Sequence, residues 1–186
     1  MDFLNFYNHK KNFRYSSFEF SLNEAFKRGH KTLVETGVAR GKIKFLFFPK
    51  INWKDGMSTM IFSDYAKHVN GHLTSCDIDR NNVKNASKFV KKNKNFVTFV
   101  TDDSLNFLKN FNKKIDFLYL DSLDGQFAEA SSHQLKEIQI AEHLLHEKSL
   151  VLLDDKGAKT NLSTDYMLSK NFKIINETSE QVLLSY

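Results

Sequence analysis

One cysteine (Cys76), one proline and seven glycines are all that 186 residues contain of these types. A lone cysteine excludes an internal disulfide and fits a reducing compartment, so the expected location is cytoplasmic. No repeat, low-complexity tract or Gly/Ser/Pro linker divides the chain, which reads as a single domain over 1–186. No apolar run approaches the ~18 residues of a membrane span, and the aromatic stretch 42–48 is broken by Lys44. The first residues lack the basic start and apolar core of a secretory signal. What remains is a globular composition: 41% hydrophobic and 26% charged. A chain of this size buries roughly 70% of the surface it would expose unfolded. The net charge of +5 is unevenly divided. Residues 1–54 carry 11 basic and 4 acidic side chains, so the remaining 132 residues are slightly acidic. Either a basic element faces an anionic partner, or solvated lysines happen to lie there.

Hydrophobic periodicity predicts helices over 17–28, 57–69, 81–92, 103–111, 131–146 and 160–169. It predicts strands over 32–36, 72–77, 96–100, 115–120, 149–153, 172–176 and 181–185. Phe18, Leu22 and Phe26 form one helical stripe, ended by Gly29, and Ser131 or Ser132 is the expected N-cap of the fifth helix. Strands alternating with helices imply an α/β fold: a seven-stranded, mainly parallel sheet covered by helices on both faces. The turn between the last two strands is too short for a crossover, so that pair is expected to be antiparallel. Such sheets bind ligands beyond the carboxyl ends of their strands.

The residues at those ends are therefore the candidates for chemistry. Strand one closes on Glu35-Thr36-Gly37, followed by Val38-Ala39-Arg40-Gly41. This is not G-x-G-x-x-G, which speaks against a nicotinamide dehydrogenase. A second glycine turn, Asp55-Gly56-Met57-Ser58-Thr59, opens the next helix, where backbone N–H groups suit a carboxylate. Each turn also reads simply as a cap. Asp77, ending strand two, is placed to accept the hydroxyls of a ribose, while Asp79 reads as the cap of the following helix. Asp103-Ser104, ending strand three, can face an adenine amino group, cap a helix, or do both.

Glu35-Thr36-Gly37, Asp55-Gly56-x-Ser58-Thr59, Asp77-x-Asp79, Asp103-Ser104 and Asp116-Phe117-Leu118-Tyr119-Leu120-Asp121 occur in the order seen in class I S-adenosylmethionine-dependent methyltransferases. The pattern over 30–186 resembles their small O-methyltransferase-like branch. The resemblance implies Glu35 and Gly37 beside the methionine part of S-adenosylmethionine, with Gly56, Ser58 and Thr59 supporting its amino and carboxylate groups and Asp55 in the same cofactor-binding turn without an assigned contact. It places Asp77 on the ribose and Asp103 with Ser104 on adenine. An insertion of about 13 residues, 42–54, separates the two glycine turns, and with residues 1–20 it is expected to fold over the cofactor.

Asp121 follows strand four; Asp154 and Asp155 follow strand five. Adjacent strands make these carboxylates converge, and converging carboxylates repel unless a cation or shared proton compensates. Oxygen ligands suit Mg²⁺, Mn²⁺ or Ca²⁺, as in metal-dependent O-methyltransferases, so Asp121, Asp154 and Asp155 are the candidate metal ligands. The other reading leaves Asp121 on cofactor or substrate and Asp154 in a cap or salt bridge. Asp121 and His133 are the candidate catalytic residues, His133 as a base, a metal ligand or an inert helix-start histidine. Lys156 is expected to neutralise the cluster, whereas His143 and His146 have no site role.

The expected activity is methylation of a hydroxyl on a small molecule or sugar. The alternatives are a nucleic-acid or protein methyltransferase, or a cofactor-binding accessory protein without turnover. Asp121-Ser122-Leu123-Asp124 stands where an amide methylase would carry an N-P-P-Y-like motif, so nucleic acid is disfavoured as a partner. A homodimer remains open.

Overall fold

The structure is a computed structural model that describes residues 1–45 and 48–186, with the side chains of 42–50 outside that description. A 3-10 turn, Asp2–Tyr7, precedes α1 (Tyr15–Lys27) and β1 (Thr32–Thr36). The backbone then forms a hairpin, β2 (Lys42–Phe45) with β3 (Phe48–Ile51), and a 3-10 turn at Trp53–Asp55. There follow α2 (Ser58–His68), β4 (His72–Asp77), α3 (Arg80–Phe89), β5 (Val97–Thr101) and α4 (Ser104–Asn110). The chain continues through β6 (Phe117–Leu120), α5 (Ala130–Ala141), β7 (Leu150–Asp154) and α6 (Thr160–Ser169), and closes with β8 (Lys173–Glu177) and β9 (Gln181–Ser185).

Seven strands form one sheet in the order β5-β4-β1-β6-β7-β9-β8. The first five are parallel, and β9 slots between β7 and β8, antiparallel to both. Period-two alternation explains why so apolar a sheet needs helices on both sides. Leu33, Phe117, Tyr119, Leu150 and Leu152 point to the face covered by α1 and α2. Val34, Leu118, Leu120, Val151 and Leu153 point to the face covered by α4, α5 and α6. On the first face Phe18, Phe62, Phe117 and Tyr119 meet edge-on at 5.2–5.7 Å between ring centres. Each such pair contributes ~0.5–1.5 kcal/mol beyond area burial.

Some local expectations change. Phe26 is half exposed and leaves the stripe, which Ala25 joins instead. The helix ends as predicted: Gly29 turns left-handed (φ 74) and His30 N–H reaches back to the Ala25 carbonyl. Helix α5 starts one residue before Ser131, with Glu129 at the cap position, and Ser132 Oγ donates back to the Glu129 carbonyl. The same helix tightens into a 3-10 turn at Glu142–Leu144 instead of running to residue 146. Residues 1–7 do not lie over the strand ends. They pack on α2, with Leu4 and Tyr7 buried and Tyr7 Oη donating to Asp64 at 2.5 Å. In the insertion, residues 46 and 47 and the side chains of 42–50 lie outside the described residues, so its expected covering role is not placed. Trp53 at its end packs against Phe6 and stacks on His9. No helix among the described residues is long and apolar enough to cross a membrane.

Candidate functional site

The first glycine turn brings three strand ends together. Gly37 adopts φ +80, its N–H reaches the Cys76 carbonyl, and a Cβ there would stand 2.2 Å from the Asp121 carbonyl oxygen. Only glycine lets β1, β4 and β6 approach so closely.

Glu35, beside it, is not open to a ligand. Its side chain is wholly buried, and its carboxylate accepts hydroxyl hydrogen bonds from Ser58 at 2.5 Å and from Ser75. Burial pushes its pKa up to about 7 against the opposing pull of those hydroxyls. The Asp55–Thr59 turn is likewise spent on bracing: Thr59 Oγ1 accepts from Ala39 N–H at 2.9 Å, and Gly56 (φ +71) passes under the Arg14 side chain. Of its five residues only Asp55 lines the groove described below, accepting from Gly41 N–H and pairing with Arg40 at 3.4 Å. Ser58 and Thr59, expected to contact the cofactor, instead brace Glu35 and the first glycine turn.

The state of Glu35 should be visible in stability. An acid whose folded pKa lies above its unfolded value opposes folding once the unfolded chain ionises, so the wild type loses stability as pH rises from ~4.5 to ~7. Glu35→Gln removes that slope. Urea titrations at pH 4.5 and 7.5 should show the variant gaining relative to wild type by about 3 kcal/mol across the interval.

Two cavities open at the carboxyl ends of the parallel strands, of about 140 and 120 Å³. They share Gly37, Asp77, Ile78, Ser122 and Leu123, so they are lobes of one groove with Asp77 at the waist. The larger lobe is polar, lined by Arg40, Asp55, Asn82, Asp121 and Asp124. The smaller adds Cys76, Asp103, Ser104 and His133. Asp77 is fixed from three sides: its Oδ2 accepts from Val38 N–H at 3.1 Å, its Oδ1 from Asp79 N–H at 2.7 Å, and Asn82 Nδ2 lies 3.3 and 3.4 Å from the two oxygens. Asp79 caps α3 through Asn81 N–H, and Asp103 caps α4 through Leu105 and Asn106 N–H. Asp103 thus combines cap and groove wall.

His133 lies in the smaller lobe and is absent from the lining of the lobe that holds Asp121. Its Nε2 is 2.9 Å from Ser104 Oγ and 3.9 Å from Glu137, a buried acid whose pKa burial raises and His133 pulls back. Glu137, one turn further along α5, is buried there without any pattern in its sequence neighbours that marks it.

The acidic cluster converges as expected: one oxygen each of Asp121, Asp154 and Asp155 lies within 4.8 Å of the others. Its counter-charges were not foreseen. Arg14 forks onto Asp154 (Nε–Oδ1 2.7 Å, Nη2–Oδ2 2.8 Å) and reaches Asp155 Oδ1 at 2.8 Å. Lys159, almost wholly buried, bonds Asp121 Oδ1 at 2.7 Å and Asp155 Oδ2 at 3.1 Å. Gln181 Nε2 donates to Asp154 Oδ1 at 2.7 Å and to Tyr119 Oη at 3.2 Å. Burial alone would raise Asp154, yet the bound guanidinium holds it below the ordinary carboxylate range; burial and the Asp154 charge push Asp121 well up. A divalent ion does not fit residues paired in this way. Lys156, expected to neutralise the cluster, pairs with Glu177 at 3.0 Å instead. The only local trace of the true arrangement is the i, i+4 spacing of Asp155 and Lys159; Arg14 lies 140 residues from Asp154 and leaves none.

A wider, open cavity of about 640 Å³ adjoins the polar lobe, sharing Arg40 and Asp124 with it and adding Gln126, Asp155, Lys156 and Glu180. Arg40 spans the boundary, paired at 3.2 Å with Asp124.

Strand order, the reversed β9 and a groove over the carboxyl ends define the class I methyltransferase fold. Residues 53–156, more than half of the chain, match the family model described as a methyltransferase domain, and the chain belongs to that family. Solved structures agree in fold. The SAH-bound methyltransferase PaMTH1 of Podospora anserina superposes with a TM-score of 0.64 at 12% identity, over 91% of this chain and 77% of that one. An O-methyltransferase of Bacillus cereus in complex with SAH gives 0.63 at 11% identity, over 91% and 79%. The fibrillarin pre-rRNA processing protein of Methanococcus jannaschii gives 0.55 at 11% identity, over 84% and 66%. No curated protein matches the sequence.

Proposed function

We propose that the groove binds S-adenosylmethionine and that the protein methylates a hydroxyl oxygen of a small polar molecule, such as a sugar. The observation that carries this reading is the two-lobed groove with a fixed carboxylate, Asp77, at its waist. A nucleoside joined to an amino acid has that form: a flat ring, a diol, then a charged tail. Asp77 accepts from the diol, Asp103 and Ser104 border the ring, and the lobe of Arg40, Asp55 and Asp121 takes the tail. SAH in the Podospora and Bacillus structures supports the choice of cofactor.

S-adenosylmethionine, when bound, supplies a methyl group made electrophilic by its sulfonium. The chain's part is to hold the acceptor in line and to remove its proton. Asp121 is the group placed to do so. It lines the polar lobe, and Lys159 anchors one of its oxygens. As the acceptor oxygen took the methyl group and the methyl–sulfur bond broke to leave a neutral thioether, the acceptor's proton would pass to Asp121. The acceptor enters through the wide cavity next to Arg40, whose lining of acids, bases and amides suits a hydroxyl-rich molecule. In this reading His133 supports Ser104 and takes no proton.

Incubation with methyl-labelled S-adenosylmethionine and a panel of sugars, polyols and phenols tests the proposal. Label should appear on a polyhydroxylated acceptor, and Asp121→Asn should cut the rate by ~10²–10⁴-fold, the range for one acid–base group. Label on phenols alone, or an Asp121→Asn rate equal to wild type, would refute it.

A further inference from the structure

We infer that Arg14 and Lys159 are the resident counter-ions of the Asp121, Asp154 and Asp155 cluster, and that this site takes no divalent cation. Three carboxylates this close need positive charge beside them. Two cations are already in place, and five of the six carboxylate oxygens accept from them at 2.7–3.1 Å. The sixth, Asp121 Oδ2, has the Tyr119 hydroxyl at 3.4 Å. Mg²⁺ or Mn²⁺ demands a near-octahedral set of oxygens at ~2.0–2.2 Å, with several waters retained. To form such a set the ion would have to turn out both cations. Arg14 is tied further by Nη1 to the Lys54 carbonyl at 3.1 Å and lies 3.9 Å from Glu180. Lys159 has 1% of its side chain exposed, so its displaced ammonium would stay in the protein, beside the incoming dication.

Two roles follow from one set of contacts. Arg14 ties the segment before α1 to the ends of β7 and of the hairpin insertion. Lys159 is a positioning residue: it fixes one oxygen of Asp121 and keeps a positive charge next to the groove without reaching into it. Methyl transfer, on the reading above, then proceeds without a metal ion. The charge arrangement itself does not depend on that reading.

Electron paramagnetic resonance of free Mn²⁺ tests the inference on the intact protein. Wild type mixed with Mn²⁺ at millimolar concentration should leave the free-ion signal unchanged, and its melting temperature should be the same in Mn²⁺ and in EDTA. Stoichiometric uptake of Mn²⁺, or a melting temperature that EDTA lowers and Mn²⁺ restores, would overturn it. Lys159→Met bares one oxygen each of Asp121 and Asp155 and should acquire Mn²⁺ binding, while Lys159→Arg should ignore the ion as wild type does. A folded Lys159→Met that also ignores Mn²⁺ would overturn the role given to Lys159. If Lys159→Met does not fold, the wild-type arms decide the matter alone. Calorimetry with S-adenosylmethionine on the same samples reports separately on the proposed function.

Discussion

Arg14→Ala is expected to cost about 3–5 kcal/mol of stability, the usual penalty for removing one partner of a buried ion pair. For a chain of this size that lowers the melting temperature by roughly 10 °C or more. The reason is the environment left behind. Asp154 is fully buried, with Gln181 as its remaining side-chain donor among the described residues and Asp121 beside it. The effect has a pH signature whose sign is fixed. Asp154 has a folded pKa below its unfolded value, so its ionised form contributes stability above ~pH 4 and loses that contribution as pH falls through the folded value. Without Arg14 the contribution disappears. The gap between wild type and variant should be widest near neutrality and shrink below about pH 4. Thermal melts at a series of pH values check both parts. A loss under about 1 kcal/mol, typical of a surface pair, would mean that Arg14 is not the latch described here.

Asp77→Ala should weaken S-adenosylmethionine binding by about a hundredfold. A hydrogen bond to a charged group contributes ~1.5–3 kcal/mol, and a diol offers two donors to one carboxylate. SAH must lose affinity in the same proportion, because the ribose is common to both molecules. Asp77→Asn, which keeps the size and one acceptor, should lose less. Asp77 also accepts from Val38 and Asp79 N–H, so melting temperatures belong beside the titrations to show that the turn survives. Equal affinity of wild type and Asp77→Ala, with both folded, would remove Asp77 from the ribose.

Most of the sheet could be read from the chain because period two is a local property. Thr32–Thr36, His72–Asp77, Thr160–Ser169 and Gln181–Ser185 fall where the pattern put them. The short turn before Gln181 announced the antiparallel final pair. Residues whose role is a backbone conformation or a helix start were legible too: Gly37, Asp79 and Asp103. What spacing could not show was which side chains face the ligand and which face one another. Glu35, Ser58 and Thr59 carry the polar chemistry of a binding turn, yet their atoms satisfy each other and a strand-end amide. Arg14 is one of eleven basic residues in the first 54, and nothing in its neighbours separates it from the solvated ones. Its partner is contributed by a strand at the other end of the chain, and only the fold brings the two together. The same fact revises the meaning of the acidic cluster, from a vacancy for a cation to an occupied ion-pair hub. It also refines the charge division: at least one cation of the basic first third is structural.

The most direct test of the account is a calorimetric titration of the wild-type protein with S-adenosylmethionine in the presence of EDTA. The groove as described predicts one site per chain and no dependence on added Mg²⁺. Absence of binding heat, or binding that appears only with Mg²⁺, would contradict it.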